Sequence, residues 1–201
     1  MPWPFSPDSW QRPTRADRAR VALLVLVALA AGAAPAGQEP TPELRERVRA
    51  ALASADSFKD RFDADVWLMD MGGRLRKQVP DPQLRVDILK AVHREATRAD
   101  LPPEMVLAVI DIESAFNPYA VSSAGAQGLM QVMPFWREEL GRRRLVDVED
   151  NILMGCTILS HYYERSGRDW MEALARYNGS LGRSEYPQKV LDRLRTRWFR
   201  Q

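Results

Sequence analysis

An all-α fold is predicted by three features of the sequence. Apolar residues recur at helical spacing, as at Leu84, Ile88 and Val92. Proline and glycine clusters separate the segments that show this spacing. No segment shows convincing strand-like alternation of apolar and polar residues, and no internal repeat is visible. One α-helical domain with a short N-terminal helical extension is therefore the predicted architecture.

The bulk composition limits the possible partners. The chain has 201 residues, 45% of them apolar and 28% charged, enough for one compact domain and a smaller leading segment. Its 29 Lys and Arg residues nearly balance 27 Asp and Glu residues, for a net charge of +2. This balance gives no argument for a nucleic-acid partner and permits only a mild attraction to an acidic polymer. Cys156, the one cysteine, lies in an apolar run and is expected in the core.

The first residues have the layout of a secretory signal peptide. Four arginines precede an apolar run at residues 21–34: Arg12, Arg15, Arg18 and Arg20. The run is shorter than the roughly 20 residues that span a bilayer as a helix, and small residues follow it. We therefore predict a signal peptide over residues 1–36 with cleavage after Ala36, while a retained anchor stays open.

The next part of the chain is predicted to be a helical extension. Helical spacing indicates one or two helices within residues 43–76. Gly72-Gly73 and the proline-rich segment 79–83 are expected to interrupt the chain, which assigns the extension to residues 37–78 and the main domain to residues 79–201. Because amphipathic helices usually bury their apolar stripe against their own protein, the favoured role of the extension is a buttress packed on the domain. An arm for a protein partner stays open.

Prolines mark the helix boundaries of the main domain. Pro102-Pro103 fits the first turn of a helix that runs to about Ala115, and Asn117-Pro118 ends it. Tyr186-Pro187 is expected to redirect the chain into a terminal helix. Further helical patterns occupy three segments: 149–165, 169–176 and 187–199.

Glu113 is a candidate catalytic residue from its position alone. It borders the apolar face of its helix and lies in the last turn, where the negative end of the helix dipole disfavours a charged carboxylate. Partial burial and the dipole both raise the pKa, as a general acid requires near neutral pH. The alternative is that Glu113 makes a buried hydrogen bond or ion pair that holds the following loop.

Three separated motifs are similar to those of a known family. They are Glu113-Ser114-Ala115-Phe116-Asn117-Pro118, continued by Ala120-Val121-Ser122 and by Gly125-Ala126-Gln127-Gly128-Leu129-Met130-Gln131-Val132-Met133-Pro134; then Asn151-Ile152 with Gly155; and Ala173-Leu174-Ala175-Arg176-Tyr177-Asn178-Gly179. The sequence resembles the soluble lytic transglycosylases, relatives of goose-type lysozyme, over roughly residues 85 to 190.

The resemblance implies a lysozyme-like helical domain with Glu113 at a helix end, in a cleft for the glycan of peptidoglycan. It implies that Glu113 protonates the oxygen between N-acetylmuramic acid and N-acetylglucosamine. The same residue then removes the C6 hydroxyl proton, which leaves a 1,6-anhydromuramic acid end. One carboxylate can serve in both steps, because the first step produces the base that the second requires. No metal and no cofactor are expected.

A glycosidase of the usual kind needs a second carboxylate across the scissile bond. Asp111 is unsuitable, because two positions along a helix turn the side chain by about 200°. The other candidates are distant in sequence and stay open, although a solvated surface charge is the favoured interpretation for each: Glu138, Glu139, Asp147, Glu149 and Asp150. The resemblance implies instead that the acetamido group of the substrate is the nucleophile.

The remaining site residues follow from the resemblance. Ser122 matches the serine near the acetamido group, and Gln131 matches the glutamine that lines the glycan cleft. Tyr177 matches the tyrosine that hydrogen-bonds the catalytic Glu, and Asn178 is a candidate sugar-binding amide. Met133 would shape the cleft floor, although core packing is the favoured role for a methionine here.

The chain departs from the common family pattern at one place. Many members have Ala-Tyr-Asn-Ala-Gly where this chain has Arg-Tyr-Asn-Gly-Ser at residues 176–180, so a different cleft rim is expected. With the signal peptide, the resemblance implies a periplasmic enzyme, expected to be a monomer, that acts on peptidoglycan glycan strands. A protein partner from wall-synthesis or secretion machinery stays open. Two further alternatives stay open, a hydrolytic muramidase and a wall-binding component of a secretion complex.

Overall fold

The computed structural model of the chain describes Pro42, Glu46 and residues 61–136 and 144–199. Within them lie six α-helices: α1 (Arg61–Leu75), α2 (Pro82–Arg98), α3 (Pro103–Ser114), α4 (Val148–Arg165), α5 (Trp170–Asn178) and α6 (Glu185–Arg193). A 3₁₀ turn occupies Pro134–Trp136, and a π-helical turn, Leu194–Trp198, extends α6. These residues contain no β-strand, only the isolated bridges Val121–Gln127 and Gln127–Val132. The predicted all-α fold is confirmed.

Aspartates begin three of the helices. Asp81, Asp147 and Asp169 each accept hydrogen bonds from backbone N–H groups of the first turn, at 2.9 Å from Gln83 and 2.8 Å from Met171 in two of the cases. These bonds satisfy donors that a helix start leaves unpaired. Local signals of this kind explain why the observed boundaries lie close to those expected from the sequence.

Helix α3 lies at the centre of the domain. It begins at Pro103, as predicted, and every residue from Met105 to Asp111 is buried. Helices α2 and α6 and the π-helical turn pack around it, while α4 packs on α2 and α5. A helix surrounded on all sides must be apolar on all sides, which accounts for the unbroken run of apolar residues in its sequence.

Helix α1 passes through Gly72-Gly73, so the predicted interruption there is wrong. Trp67, Met71 and Leu75 lie on both sides of the glycines and are buried in the common core. Packing against α2 therefore outweighs the roughly 1 kcal/mol by which each glycine disfavours a helix. In its described part, the extension packs on the domain as a buttress does.

Polar contacts attach α1 to two other parts of the domain. The indole Nε1 of Trp67 donates to Glu104 on α3 at 2.9 Å. Arg74 donates to the backbone oxygens of Arg197 and Phe199, both at 2.9 Å, and Arg197 donates to the backbone oxygen of Arg74 at 3.0 Å. The last turn of α1 is thus bound to the π-helical turn and to Phe199, which follows it.

Several expectations fall outside the described residues. These are the signal peptide over residues 1–36 and most of the extension before residue 61. The boundary of the main domain near Val79 stays a prediction. Among the described helices, none is both long and apolar enough to cross a membrane.

The terminal helix begins earlier than predicted. Tyr186-Pro187 lies inside the first turn of α6 instead of redirecting the chain ahead of it. Proline is tolerated there because N–H groups of the first turn have no helical partner. Beyond Arg193 the chain widens into the π-helical turn, which the N–H of Phe199 closes on the carbonyl of Leu194 at 2.7 Å. As a result, Tyr186 lies on a regular helix that packs against α3.

Candidate active site

Glu113 lies in the last turn of α3, where the helix stops abruptly. The two residues that follow the helix, Ala115 and Phe116, both have left-handed backbone conformations, with φ of 49° and 65°. Such conformations are costly for residues other than glycine and concentrate at functional sites. The Tyr186 hydroxyl donates a hydrogen bond to Oε1 of Glu113 at 2.6 Å. The site therefore has a half-buried carboxyl at the end of a rigid helix with a phenol held against it.

Burial raises the pKa of Glu113 to about 7, because the ionised form loses hydration. The hydrogen bond from Tyr186 acts in the opposite direction and lowers this pKa, since it stabilises the carboxylate. The raised pKa agrees in direction with the expectation from the sequence. Near pH 7 both protonation states of Glu113 are populated, so the same group can donate a proton in one step and accept one in another.

The predicted hydrogen bond between Tyr177 and Glu113 is wrong. The Tyr177 hydroxyl donates instead to the backbone oxygen of Met130 at 2.7 Å, and it is the Tyr186 hydroxyl that donates to Glu113. Tyr177 nevertheless lies near Glu113. Burial is the main cause that raises the pKa of the Tyr177 phenol, and the charge of the nearby Glu113 carboxylate raises it further. Tyr177 therefore anchors the loop that follows α3.

This loop, residues 115–133, is bound to the helices on several sides. Ser114 donates to the backbone oxygen of Leu129 at 2.8 Å. The buried amide of Asn151 accepts from the N–H of Met130 at 2.7 Å and donates to the backbone oxygens of Gln127 and Leu145, at 2.8 and 2.6 Å. Because helices α3, α4 and α5 all supply contacts, the loop has a defined shape without secondary structure of its own.

Two glycines allow the loop to approach the helices closely. Gly128 has a φ of 79°, and a Cβ atom on it would lie 2.5 Å from the backbone oxygen of Leu145. A Cβ atom on Gly155 of α4 would lie 2.6 Å from the Cβ of Met130. Larger side chains at either position would push the loop away from α4.

The loop supplies Ser122 and Gln131. Ser122 is exposed, and its hydroxyl accepts a hydrogen bond from the N–H of Ala126 at 3.1 Å. Gln131 has a left-handed backbone with φ of 50°, and its amide donates to the backbone oxygens of Ala120 and Gly128 at 3.2 and 3.0 Å. These bonds use the NH₂ group of Gln131 and leave its carbonyl oxygen as the atom with capacity for another donor.

Asn178 and Met133 are both half-buried. Asn178 is the last residue of α5, next to Tyr177 and before Gly179, which ends the helix in a left-handed conformation. Met133 packs partly against the core, as favoured from the sequence, and directly precedes the 3₁₀ turn. Their roles toward a ligand stay predictions.

Asp111, two residues before Glu113, is bound away from the site as expected. Its side chain is 1% exposed and accepts hydrogen bonds from Gln78, Arg193 and Trp198 at 2.9, 3.0 and 3.0 Å, with Arg197 at 3.4 Å. A carboxylate surrounded by donors in this way is a structural anchor and has no free oxygen for a substrate.

The other acidic candidates behave as surface or capping groups where the structure describes them. Asp147 is exposed and caps α4, and the exposed Glu149 lies 3.8 Å from Arg94. Asp150 is half-buried in the first turn of α4. Glu138 and Glu139 lie outside the described residues.

The described residues contain no group of three or more His, Cys, Asp or Glu side chains that could hold a metal ion. Cys156 is fully buried in the core, as predicted, and burial raises the pKa of its thiol. The thiol is therefore protonated and inaccessible near neutral pH.

Two site residues were missed from the sequence. The Tyr186-Pro187 pair predicts only a change of chain direction, although a tyrosine in the first turn of an amphipathic terminal helix is also a candidate partner for the acid. Asn151 belongs to one of the three motifs, but the resemblance assigns it no role. A buried asparagine one turn into a helix, opposite a glycine-rich loop, is a recognisable signal for a loop anchor.

These observations define a class of protein: an all-α domain with a carboxylic acid at the end of its central helix. Residues 90–193, just over half of the chain, match the family described as Transglycosylase SLT domain. The chain belongs to this family.

Two curated relatives illustrate the similarity. The chain is 35% identical over 99 residues to a transglycosylase of Enterobacteria phage PRD1, covering 46% of this chain and 37% of the phage protein. It is 31% identical over 100 residues to the soluble lytic murein transglycosylase of Escherichia coli (strain K12), covering 45% of this chain and 16% of that protein. The matches therefore span well under half the length of these relatives.

Similar chains are also found among the solved structures, and one of them comes from Escherichia coli. It is the 70-kDa soluble lytic transglycosylase, which aligns with a TM-score of 0.44 and 24% identity. The alignment covers 62% of this chain and 24% of that chain.

Proposed function

We propose that the protein is a peptidoglycan lytic transglycosylase in which Glu113 is both general acid and general base. The proposal is supported by family membership and, above all, by one observation at the site. Glu113 is a half-buried carboxyl whose pKa is raised to about 7, with one oxygen held by the Tyr186 hydroxyl. A group in this state can give up a proton and take one back at the same pH.

In the first step, protonated Glu113 donates to the bridging oxygen between N-acetylmuramic acid and N-acetylglucosamine. The bond between that oxygen and C1 of the muramic acid breaks, and N-acetylglucosamine leaves as an alcohol. The acetamido oxygen of the muramic acid bonds to C1 and takes the place of a carboxylate nucleophile. The reaction therefore needs no second carboxylate, and the oxygens of Asp111 are already occupied by protein donors.

In the second step, the Glu113 carboxylate removes the proton of the C6 hydroxyl. O6 then attacks C1, the acetamido oxygen departs, and a 1,6-anhydromuramic acid end forms. No water is consumed, and Glu113 is again protonated. The Tyr186 hydrogen bond stabilises the carboxylate that exists between the two steps.

The neighbouring residues have separate roles in this proposal. The Ser122 hydroxyl binds near the acetamido group, the carbonyl of Gln131 accepts from a sugar, and Asn178 binds a sugar hydroxyl. Met133 shapes the floor of the site. Tyr177, bonded to the backbone of Met130, fixes the loop that presents Ser122 and Gln131.

The cellular context is also part of the proposal. Residues 1–36 would direct export and be removed, residues 37–78 would form the extension, and residues 79–201 would form the catalytic domain in the periplasm. Peptidoglycan glycan strands are the substrate, and the enzyme acts as a monomer without metal or cofactor. A protein partner in wall-synthesis or secretion machinery would bind outside the site.

Mass spectrometry of the soluble products tests this proposal. The purified protein is incubated with peptidoglycan beside two variants, Glu113→Gln and Glu104→Gln. Glu104 is a matched control, because it lies on the same helix and its amide replacement can still accept from Trp67. We expect anhydromuramic ends from the wild type and from Glu104→Gln, and none from Glu113→Gln.

Other outcomes contradict the proposal in distinct ways. Reducing muramic acid ends would identify a hydrolytic muramidase, in which water attacks C1. Absence of any product from folded wild-type protein would favour a wall-binding component. Equal activity of Glu113→Gln and the wild type would exclude Glu113 as the acid.

A further inference from the structure

Asp111 lies on the opposite side of α3 from Glu113 and is bound by the C-terminal segment. Its buried carboxylate accepts from Arg193 of α6 at 3.0 Å and from the indole of Trp198 in the π-helical turn at 3.0 Å, with Arg197 of the same turn at 3.4 Å. Trp198 is fully buried, and its ring lies 5.4 Å from that of Phe116, just past the end of α3. The C-terminal segment thus holds one side of the last turns of α3.

The same helix α6 contacts the other side of α3 through Tyr186. Residues 186 and 193 are two turns apart on one face of α6, because seven residues of an α-helix rotate by about 700°. Residues 111 and 113 point about 200° apart around α3. The Tyr186–Glu113 and Arg193–Asp111 contacts therefore hold α3 from two sides, which fixes both its rotation and its distance from α6.

The π-helical turn brings a further donor to the same carboxylate. Arg193 and Trp198 are five residues apart, which in an α-helix places them about 140° apart. The extra residue per turn rotates Trp198 back toward the side of Arg193, so that both side chains reach Asp111. A regular helical ending would lose one of these contacts.

We infer that Asp111 is a positioning residue that, through Arg193, Arg197 and Trp198, keeps the Tyr186 hydroxyl on Glu113. The inference deepens the proposed function, because it concerns the acid that function requires. Asp111 touches no substrate in this scheme. It acts by fixing α6, the helix from which Tyr186 reaches the carboxyl.

A double-mutant cycle between Asp111→Asn and Tyr186→Phe tests this inference without substrate. The measurement is the pKa of Glu113, followed by ¹³C NMR of its side-chain carboxyl, whose signal is identified by its loss in Glu113→Gln. The charge lost at Asp111 lowers the pKa of Glu113 directly, whereas loss of the Tyr186 hydrogen bond raises it. The Tyr186→Phe background contains only the first effect and so separates the two.

In the Tyr186→Phe background we expect Asp111→Asn only to lower the pKa of Glu113. When Tyr186 is present, the pKa after Asp111→Asn should be about one unit higher than this direct effect alone would give. Equal shifts in both backgrounds would overturn the inference. Glu95→Gln is the matched control, because Glu95 is another buried carboxylate bound by two arginines, Arg94 and Arg98 on α2. It should give equal shifts in both backgrounds.

Arg193→Met replaces Asp111→Asn in the same cycle if the latter does not fold. It removes the contact from α6 and leaves the donors on Gln78, Arg197 and Trp198 to the buried carboxylate. Arg193→Lys, which keeps a cation at this position, should restore part of the effect. Absence of any dependence on Tyr186 with Arg193→Met would overturn the inference equally.

Turnover of peptidoglycan separates this inference from the proposed function. If the wild type cleaves glycan, Asp111→Asn should lower kcat about tenfold with little change in KM, and by much less in the Tyr186→Phe background. If the wild type is inactive but the pKa shifts caused by Asp111→Asn depend on Tyr186, the proposed function is rejected and the positioning role is kept. An active wild type with an additive cycle would reject the positioning role alone.

Discussion

Replacing Tyr186 with Phe removes one oxygen atom and the 2.6 Å hydrogen bond to Glu113. A hydrogen bond to a charged group contributes about 1.5 to 3 kcal/mol, and one pKa unit corresponds to about 1.4 kcal/mol. The phenol also donates to the protonated carboxyl, so the difference between the two states lies near the lower limit. We expect the pKa of Glu113, now about 7, to rise by about one unit.

The pH dependence of glycan cleavage measures this shift. Glu113 must be protonated to begin the reaction, so kcat/KM falls as the pH rises through the pKa of the free enzyme. In Tyr186→Phe this decline should move upward by about one pH unit, with a lower maximum rate. The assay is the release of soluble fragments from peptidoglycan between pH 5 and 10.

Tyr177→Phe is the control, because the Tyr177 hydroxyl bonds the backbone of Met130 instead of the carboxyl. Its decline should stay at the wild-type pH, whatever its rate. A decline that stays in place in Tyr186→Phe, or that moves equally in both variants, would refute the reasoning that Tyr186 tunes Glu113.

Three further predictions concern the acid, the loop and the thiol. Because the pKa of Glu113 is raised from 4.5 to about 7 on folding, its contribution to stability is present below about pH 4.5 and is lost as the pH rises through about 7. Urea unfolding should therefore show Glu113→Gln about 3 kcal/mol more stable than the wild type at pH 8, and equal stability there would contradict the raised pKa. Gly128→Ala should lower the free energy of unfolding by more than about 2 kcal/mol, because its Cβ meets Leu145, whereas Gly182→Ala, with a similar φ and open space, should cost about 1 kcal/mol; equal losses would contradict the proposed clash. The thiol of Cys156 should react with a disulfide reagent only at the rate of unfolding, and fast labelling of the folded protein would show that it is not buried.

Local signals in the sequence predicted much of the fold. Pro103 begins α3 as expected, and the aspartate caps lie where the helical patterns of α2, α4 and α5 start. The interruption at Gly72-Gly73 failed because Met71 and Leu75 gain more from burial than the glycines lose in helix propensity. Tertiary packing of this kind cannot be predicted from a short segment of the sequence.

The contacts of the site were harder to predict than its residues. Tyr186 and Glu113 are 73 positions apart, and choosing between Tyr186 and Tyr177 required knowing which tyrosine the loop uses for its own backbone. The orientation of Asp111 followed from helix geometry alone and agrees with the structure. The partners of Asp111 could not be predicted in the same way, because basic residues in a terminal helix are ordinarily interpreted as solvated.

The burial of α1 means that the signature which identifies the family is shorter than the unit that folds. Residues 90–193 omit Trp67, Met71 and Leu75 at one end and Trp198 at the other, all of them part of one core. A fragment trimmed to the matched range would expose the surfaces these side chains cover and would lose three donors to Asp111, those of Gln78, Arg197 and Trp198. Any exchange of this domain between proteins should therefore transfer helix α1 and the π-helical turn together with the matched residues.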